Sequence, residues 1–109
     1  MSVSYFVRYE IEHSREFLSY YRDRHVPILA RWPGLRRVTL HTPLDWSDPF
    51  PVNRGRVVLL AQLEFDSEDA MNRALASRER AEAREDFQRF MTFEGTVTHQ
   101  AMKSEEAWP

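Results

Sequence analysis

The sequence predicts an α+β domain in which four strands form one antiparallel sheet and the helices gather on one face of it. Three observations predict this. Alternating segments stand near both ends of the chain, an apolar run covers residues 57–65, and two amphipathic helical patterns separate the outer strands from an inner pair. The resulting order, β-α-β-β-α-β, with helices segregated to one face, is the ferredoxin-like arrangement. At 109 residues and 42% hydrophobic content, the chain is expected to form one domain over residues 1–109.

Each element has its own warrant. From Ser4 to Glu10, Tyr5, Val7 and Tyr9 alternate with Phe6, Arg8 and Glu10, a period of two that marks a strand. Ser14 is a candidate N-cap, and Glu16 puts an acid where the first helical turn favours one. Phe17, Tyr21, His25, Ile28 and Trp32 then recur at steps of three and four, within about 80° of one helical face. Pro27 falls inside this pattern. Because it lacks an N–H and its ring displaces the carbonyl four residues back, the expectation is one helix kinked near residues 24–26, with the apolar stripe in phase across the kink. Pro33 and Gly34 end that helix.

Leu35 to Thr42 reads as the second strand, with Val38 and Leu40 opposite Arg37, Thr39 and His41. Residues 43–54, "PLDWSDPFPVNR", have no period and form a long loop, expected to cover a partner contact or a pocket mouth. The run at residues 57–65 is apolar on both faces through Ala61, as in a central strand covered on each side. Asp66 or Ser67 caps the next helix, which extends to about Ala76 and continues through "SRERAEAREDFQRFM" with Ala81, Phe87, Phe90 and Met91 inward. After Gly95 the last strand alternates, with Val97, His99 and Ala101 opposite Thr96, Thr98 and Gln100.

Composition narrows the function. A net charge of −2 gives no general attraction for nucleic acid or for an anionic membrane, and no apolar run reaches membrane-spanning length. With no cysteine, thiolate chemistry and disulfides are excluded, and a cytoplasmic home is expected. Three glycines in all leave no phosphate cradle. Helices enough for one sheet face, set against a strand apolar on both, point to a homodimer that covers the other face.

The stretches "EFLSYYRDRHVPILARWPGLRR", "FDSEDAMNRALASRER" and "EDFQRFM" resemble the EthD family, within the dimeric α/β barrel superfamily. The resemblance runs from about Ser4 to Met102. Its most specific part is Tyr21, His25, Pro27 and the Pro33–Gly34 pair, and Ser77 and the Asp86 to Phe90 segment also match. It implies a dimer of ferredoxin-like chains with a small-molecule pocket between sheet and helices, and His25 at the family's recurring histidine position. Members and near relatives resemble lactone isomerases, polyketide cyclases, dehydratases and cofactor-independent oxygenases.

His25 is the candidate catalytic residue, since imidazole passes protons in either direction near neutrality, as isomerisation or cyclisation beside a carbonyl requires. Its competing reading is a core histidine bonded to a backbone carbonyl or a carboxylate. Tyr9, Tyr21, Trp32, His41, Trp46 and His99 are the candidate substrate-binding residues: the aromatics as a wall that could equally be core, His41 and His99 as strand residues that face either the cavity or solvent. No short ligand spacing joins the histidines, so no metal is expected. Asp86, one acid in a charged run, reads as helix surface or a cap, and Arg8, Arg36 and Arg37 as a solvated face. The expected function is a cofactor-independent isomerase, cyclase or dehydratase acting on a cyclic or polyketide-like carbonyl compound. The alternatives are a non-catalytic dimeric ligand-binding protein and an oxygenase-like relative.

Overall fold

Alternation in the first strand becomes register in the sheet. The computed structural model describes residues 2–12, 15–90 and 94–109; Ser14, Met91 and the side chain of Phe90, assigned roles above, lie outside that description. The elements are β1 (Ser2–Ile11), α1 (Arg15–Tyr20), a π-helical turn (Tyr21–His25), α2 (Val26–Leu29), β2 (Arg37–His41), β3 (Leu59–Phe65), α3 (Glu68–Leu75), α4 (Arg78–Phe90) and β4 (Gly95–Ser104). The four strands form one antiparallel sheet in the order β2-β3-β1-β4, the ferredoxin-like order.

One face of this sheet carries the core. Val3, Tyr5, Val7, Tyr9 and Ile11 of β1 are buried, and Tyr5 and Tyr9 lie opposite Leu63 and Leu59 of β3. Against them pack Phe17, Tyr20, Tyr21, Leu29, Trp32, Met71, Ala74 and Ala83 from the helical layer. On the opposite face, β3 is less apolar than its sequence suggests. Gln62 donates to the Ser4 hydroxyl at 3.1 Å, its side-chain oxygen pairs with His41 Nε2 at 2.9 Å, and Glu64 lies 3.9 Å from Arg37. Of the even-numbered positions in the strand, Leu60 alone is apolar.

Three helical expectations are corrected. The strain of Pro27 is not taken as a kink at residues 24–26; the chain widens upstream into the π turn, closed by Val26 N–H donating to the Tyr21 carbonyl. Pro27 then sits in the first turn of α2, where a missing N–H costs little. The extra residue shifts the stripe by one place at Leu29, which is buried where Ile28 is only partly so, while Trp32 beyond it stays in the core as expected. The later helix is broken at Ala76 and Ser77: the Ser77 hydroxyl donates to the Ala74 carbonyl at 2.6 Å and accepts from Arg80 N–H at 3.2 Å, ending α3 and starting α4. Within α4, Ala83 is buried and Ala81 exposed.

Other boundaries follow their local chemistry. Ser67 caps α3, its hydroxyl accepting from Ala70 N–H at 3.1 Å. Gly34 takes φ of 76° after the Trp32–Pro33 exit from the first helical layer. At Gly95, φ is 134° and a Cβ would stand 2.4 Å from the Glu10 carbonyl oxygen, so only glycine lets β4 start against the end of β1.

Candidate functional site

The site lies between the helical layer and the β1–β4 side of the sheet, in a cavity of about 470 Å³. That volume suits a small organic ligand. His25, Tyr21, Tyr9, Phe87, Trp32 and His99 all line it, as does Tyr5. The π turn supplies His25 and Tyr21, α4 supplies Phe87, and β1 and β4 supply Tyr9 and His99.

His25 is 4% exposed, and among the described residues its hydrogen bonds are on the Nδ1 side only. Its Nδ1 lies 3.1 Å from Asp86 Oδ2, and the Tyr20 hydroxyl donates to the same oxygen at 2.6 Å. Tyr20 has a single hydroxyl proton and a carboxylate only accepts, so the Nδ1 contact is an N–H donating to Asp86. The Tyr20 oxygen stands 3.2 Å from Nδ1 and shares that proton. Nε2 therefore carries the free lone pair. Among the described residues, Trp32 Nε1 is the one fully buried side-chain nitrogen or oxygen without a partner. His25 Nε2 also makes no hydrogen bond to them, and the residue lines the cavity.

The electrostatics agree with this proton placement. Burial holds the His25 pKa below its ordinary 6.5, outweighing the opposite pull of Asp86. Burial alone would raise Asp86, yet hydrogen bonds from Tyr20 and His25 bring its pKa below 3.8. Near neutral pH the pair is a neutral imidazole and a carboxylate. The phenols of Tyr9, Tyr20 and Tyr21 are all raised, chiefly by burial, and stay protonated. The rings of Tyr21 and Phe87 stand 4.8 and 5.7 Å from that of His25, fixing its plane.

A second polar group lies towards the opening. The Tyr5 hydroxyl is 2.6 Å from His99 Nδ1 and accepts from Arg80 Nη2 at 3.3 Å. A phenol that accepts from a guanidinium is the stronger donor of the two, so Tyr5 donates to Nδ1 and leaves the His99 proton on Nε2. Burial, with the nearby charges of Arg84 and Arg80, holds His99 below 6.5.

The expected residues thus divide. The structure brings His25, Tyr9, Tyr21, Trp32 and His99 to one cavity. His41 does not join them: it points from the edge strand to the opposite sheet face, because its partner across the sheet is Leu60. Trp46 does not either. It is 49% exposed in the loop between β2 and β3, with the Arg54 guanidinium 4.1 Å from its ring centroid. Arg8, Arg36 and Arg37 lie in surface ion pairs with Glu10, Asp66 and Glu64. Tyr20, Arg80 and Arg84 had no signal in the spacing. Asp86 had one, its place in the matched "EDFQRFM" segment, but a run of alternating charges hid its inward direction. No group of three or more histidine, aspartate and glutamate side chains converges as a metal site among the described residues.

Comparisons with known proteins agree with this architecture. An ethyl tert-butyl ether D (EthD) family protein from Bacillus halodurans superposes with a TM-score of 0.76 at 18% identity, over 96% of this chain and 100% of that one. The cofactor-independent oxygenase SnoaB from Streptomyces nogalater gives 0.66 at 21% identity, over 99% and 97%. A hydroxynitrile lyase from Passiflora edulis gives 0.70 at 15% identity, over 99% and 97%. At such identities the likeness is one of fold. A comparison with curated proteins returns no match. The EthD domain, however, matches residues 12–94, which span α1 through α4 and hold Tyr20, His25 and Asp86 together, and the chain belongs to the EthD family.

Proposed function

We propose that the protein is a small enzyme in which His25 Nε2 removes a proton from carbon beside a carbonyl group of a cyclic substrate. The observation that carries this reading is the one-sided binding of His25: Nδ1–H donates to Asp86 at 3.1 Å, while Nε2 has no hydrogen-bond partner among the described residues and His25 lines the cavity. A base needs its lone pair free and its conjugate acid stabilised. Here Asp86 supplies the second condition, since the imidazolium formed by proton uptake keeps its N–H bond to a carboxylate. Tyr20 holds that carboxylate from the other side at 2.6 Å and prevents its turning away. Among aromatic walls, burial keeps the imidazole neutral until substrate arrives.

Deprotonation beside a carbonyl is the shared first step of the isomerase, cyclase and dehydratase chemistries. The same step produces the electron-rich enolate that an oxygenase would use. The proton transfer is common to all of these, and its sequel depends on the substrate. It uses only side chains of the protein and calls on no cofactor. Among the similar folds, an oxygenase and a lyase support an enzymatic role rather than simple ligand storage.

The test is exchange of the α-hydrogens of 1-tetralone for deuterium in heavy water, followed by NMR. The protein should accelerate exchange above the buffer rate. His25→Gln should lower that acceleration about 10²-fold or more, and Asp86→Asn about tenfold, with both variants folded. Exchange that is absent in the native protein, or undiminished in His25→Gln, overturns the reading.

A further inference from the structure

The cavity mouth carries more positive charge than a proton-transfer site needs. Arg80 and Arg84 stand one turn apart on α4, and both line the cavity. Neither has a carboxylate partner among the described residues. Of the four acids on α4, Glu82 faces Arg31 and Arg78, each at 3.7 Å, and Asp86 holds His25, while Glu79 and Glu85 form no ion pair with either arginine among the described residues. Arg80 is nevertheless fixed in place. Its Nη1 donates to the Leu75 carbonyl and its Nη2 to the Tyr5 hydroxyl, both at 3.3 Å.

Further donors gather at the same end. Tyr5 directs the His99 proton onto Nε2, and His99, exposed on β4, lines the cavity. Trp32, whose ring centroid is 6.4 Å from that of Tyr5, has a buried Nε1–H with no acceptor among the described residues. Two guanidiniums and an imidazole N–H thus line one cavity, and among the described residues no carboxylate pairs with any of them. Like charges one helical turn apart repel. An anion between them relieves that repulsion and satisfies the planar forks of both arginines.

We propose that the cavity binds a ring-bearing carboxylate, with the carboxylate held at the mouth by Arg80, Arg84 and His99 and the ring body lying inward between Tyr9, Trp32 and Phe87. From Arg80 to Asp86 is about 9 Å along the axis of α4, so a ligand the length of a fused two-ring acid reaches from the arginines to His25. The inner lining, with Val7, Leu29, Leu63 and Ala83, is apolar and has no glycine-rich turn to wrap a phosphate, which favours a flat organic acid over a phosphate ester. The proposal deepens the proton-transfer reading by naming the substrate class, and relies on that reading only for what happens at the far end of the ligand.

Titration calorimetry and ligand-observed NMR with 2-naphthoate, its neutral counterpart 2-naphthamide, and inorganic phosphate test it on the intact protein. The naphthoate should bind about tenfold more tightly than the amide, and phosphate should not displace it. Arg84→Gln and Arg80→Gln should each weaken naphthoate binding about fivefold or more and leave the amide unchanged, while Arg84→Lys, which keeps the charge and loses the fork, should fall between native and Arg84→Gln. Arg84 is exposed and makes no hydrogen bond to other described residues, so its variants probe binding without threatening the fold. Equal affinity for acid and amide, no detectable binding of naphthoate, or full affinity in Arg84→Gln overturns the proposal. Selective naphthoate binding without tetralone exchange would sink the base at His25 and keep the anion site; exchange without selectivity would do the reverse.

Discussion

A buried histidine kept neutral beside an ionised aspartate links stability to pH. The folded-state pKa of His25 lies below 6.5, so as pH falls from that value the unfolded chain takes up a proton that the native protein resists. The unfolded state then binds more protons, and stability falls with falling pH. His99 is shifted in the same direction and adds to the same window. Asp86, with a folded pKa below 3.8, contributes stability that is present above that value and lost in a second, more acid window. Denaturant midpoints between pH 7.5 and 5 should therefore decline, by at most about 1.4 kcal/mol per pH unit for His25. His25→Gln should flatten that decline while leaving the loss below pH 4 only partly changed. A slope identical in His25→Gln would show that the imidazole is not held neutral by burial. The inward placement of His25 was legible from helical phase, because the apolar stripe included it, and the EthD resemblance pointed to the same residue. Its partner was not, since Asp86 is 61 positions away and only packing brings the two together.

What makes the site possible is an element that ordinary periodicity does not describe. Five residues along a regular α-helix are about 140° apart around the axis, which would turn Tyr20 away from His25. The π turn over Tyr21–His25 fits more residues into one revolution, and Tyr20 and His25 come to 3.2 Å. Pro27 favours this widening, because an α-helical hydrogen bond to the Asp23 carbonyl is unavailable to it. The sequence disclosed the proline and the disturbance it causes, but not how the chain absorbs it. Two variants separate the roles. Tyr20→Phe should cost about 1 kcal/mol in stability, lower the exchange rate and raise the pKa of Asp86, followed by carboxyl NMR shifts. Pro27→Ala should cost less than about 1 kcal/mol, since the first turn of α2 needs no donor there. If Tyr20→Phe leaves the Asp86 titration unmoved, the hydroxyl does not orient the carboxylate.

At the scale of the whole molecule, the chain exposes more than its size explains. Its accessible surface is 8174 Å², against about 6300 Å² for a compact monomer of this mass. Its radius of gyration is 15.3 Å, where about 13 Å is usual for this length. The excess is apolar in part: Leu44 is 82% exposed, Phe50 73% and Trp108 88%, and Val52 and Met102 are also open. The strand at residues 57–65 supplied the first reason to expect a dimer, but its outer face is largely a polar network, so the loop and tail carry the argument instead. The loop between β2 and β3 does not line the cavity of its own chain, which leaves the seam between copies as its expected place. A stable complex buries roughly 800 Å² per partner, and the loop and tail hold most of the exposed large apolar side chains that could contribute to it. Prolines at 43, 49 and 51 lessen the entropy lost when the loop docks. Light scattering at micromolar concentration should therefore give twice the mass of the chain. Trp46→Ala together with Phe50→Ala should weaken the dimer by about 2 kcal/mol or more, and dilution should separate it sooner than the native protein. A native chain that stays monomeric at those concentrations, or a dimer indifferent to both substitutions, would remove the loop from the interface.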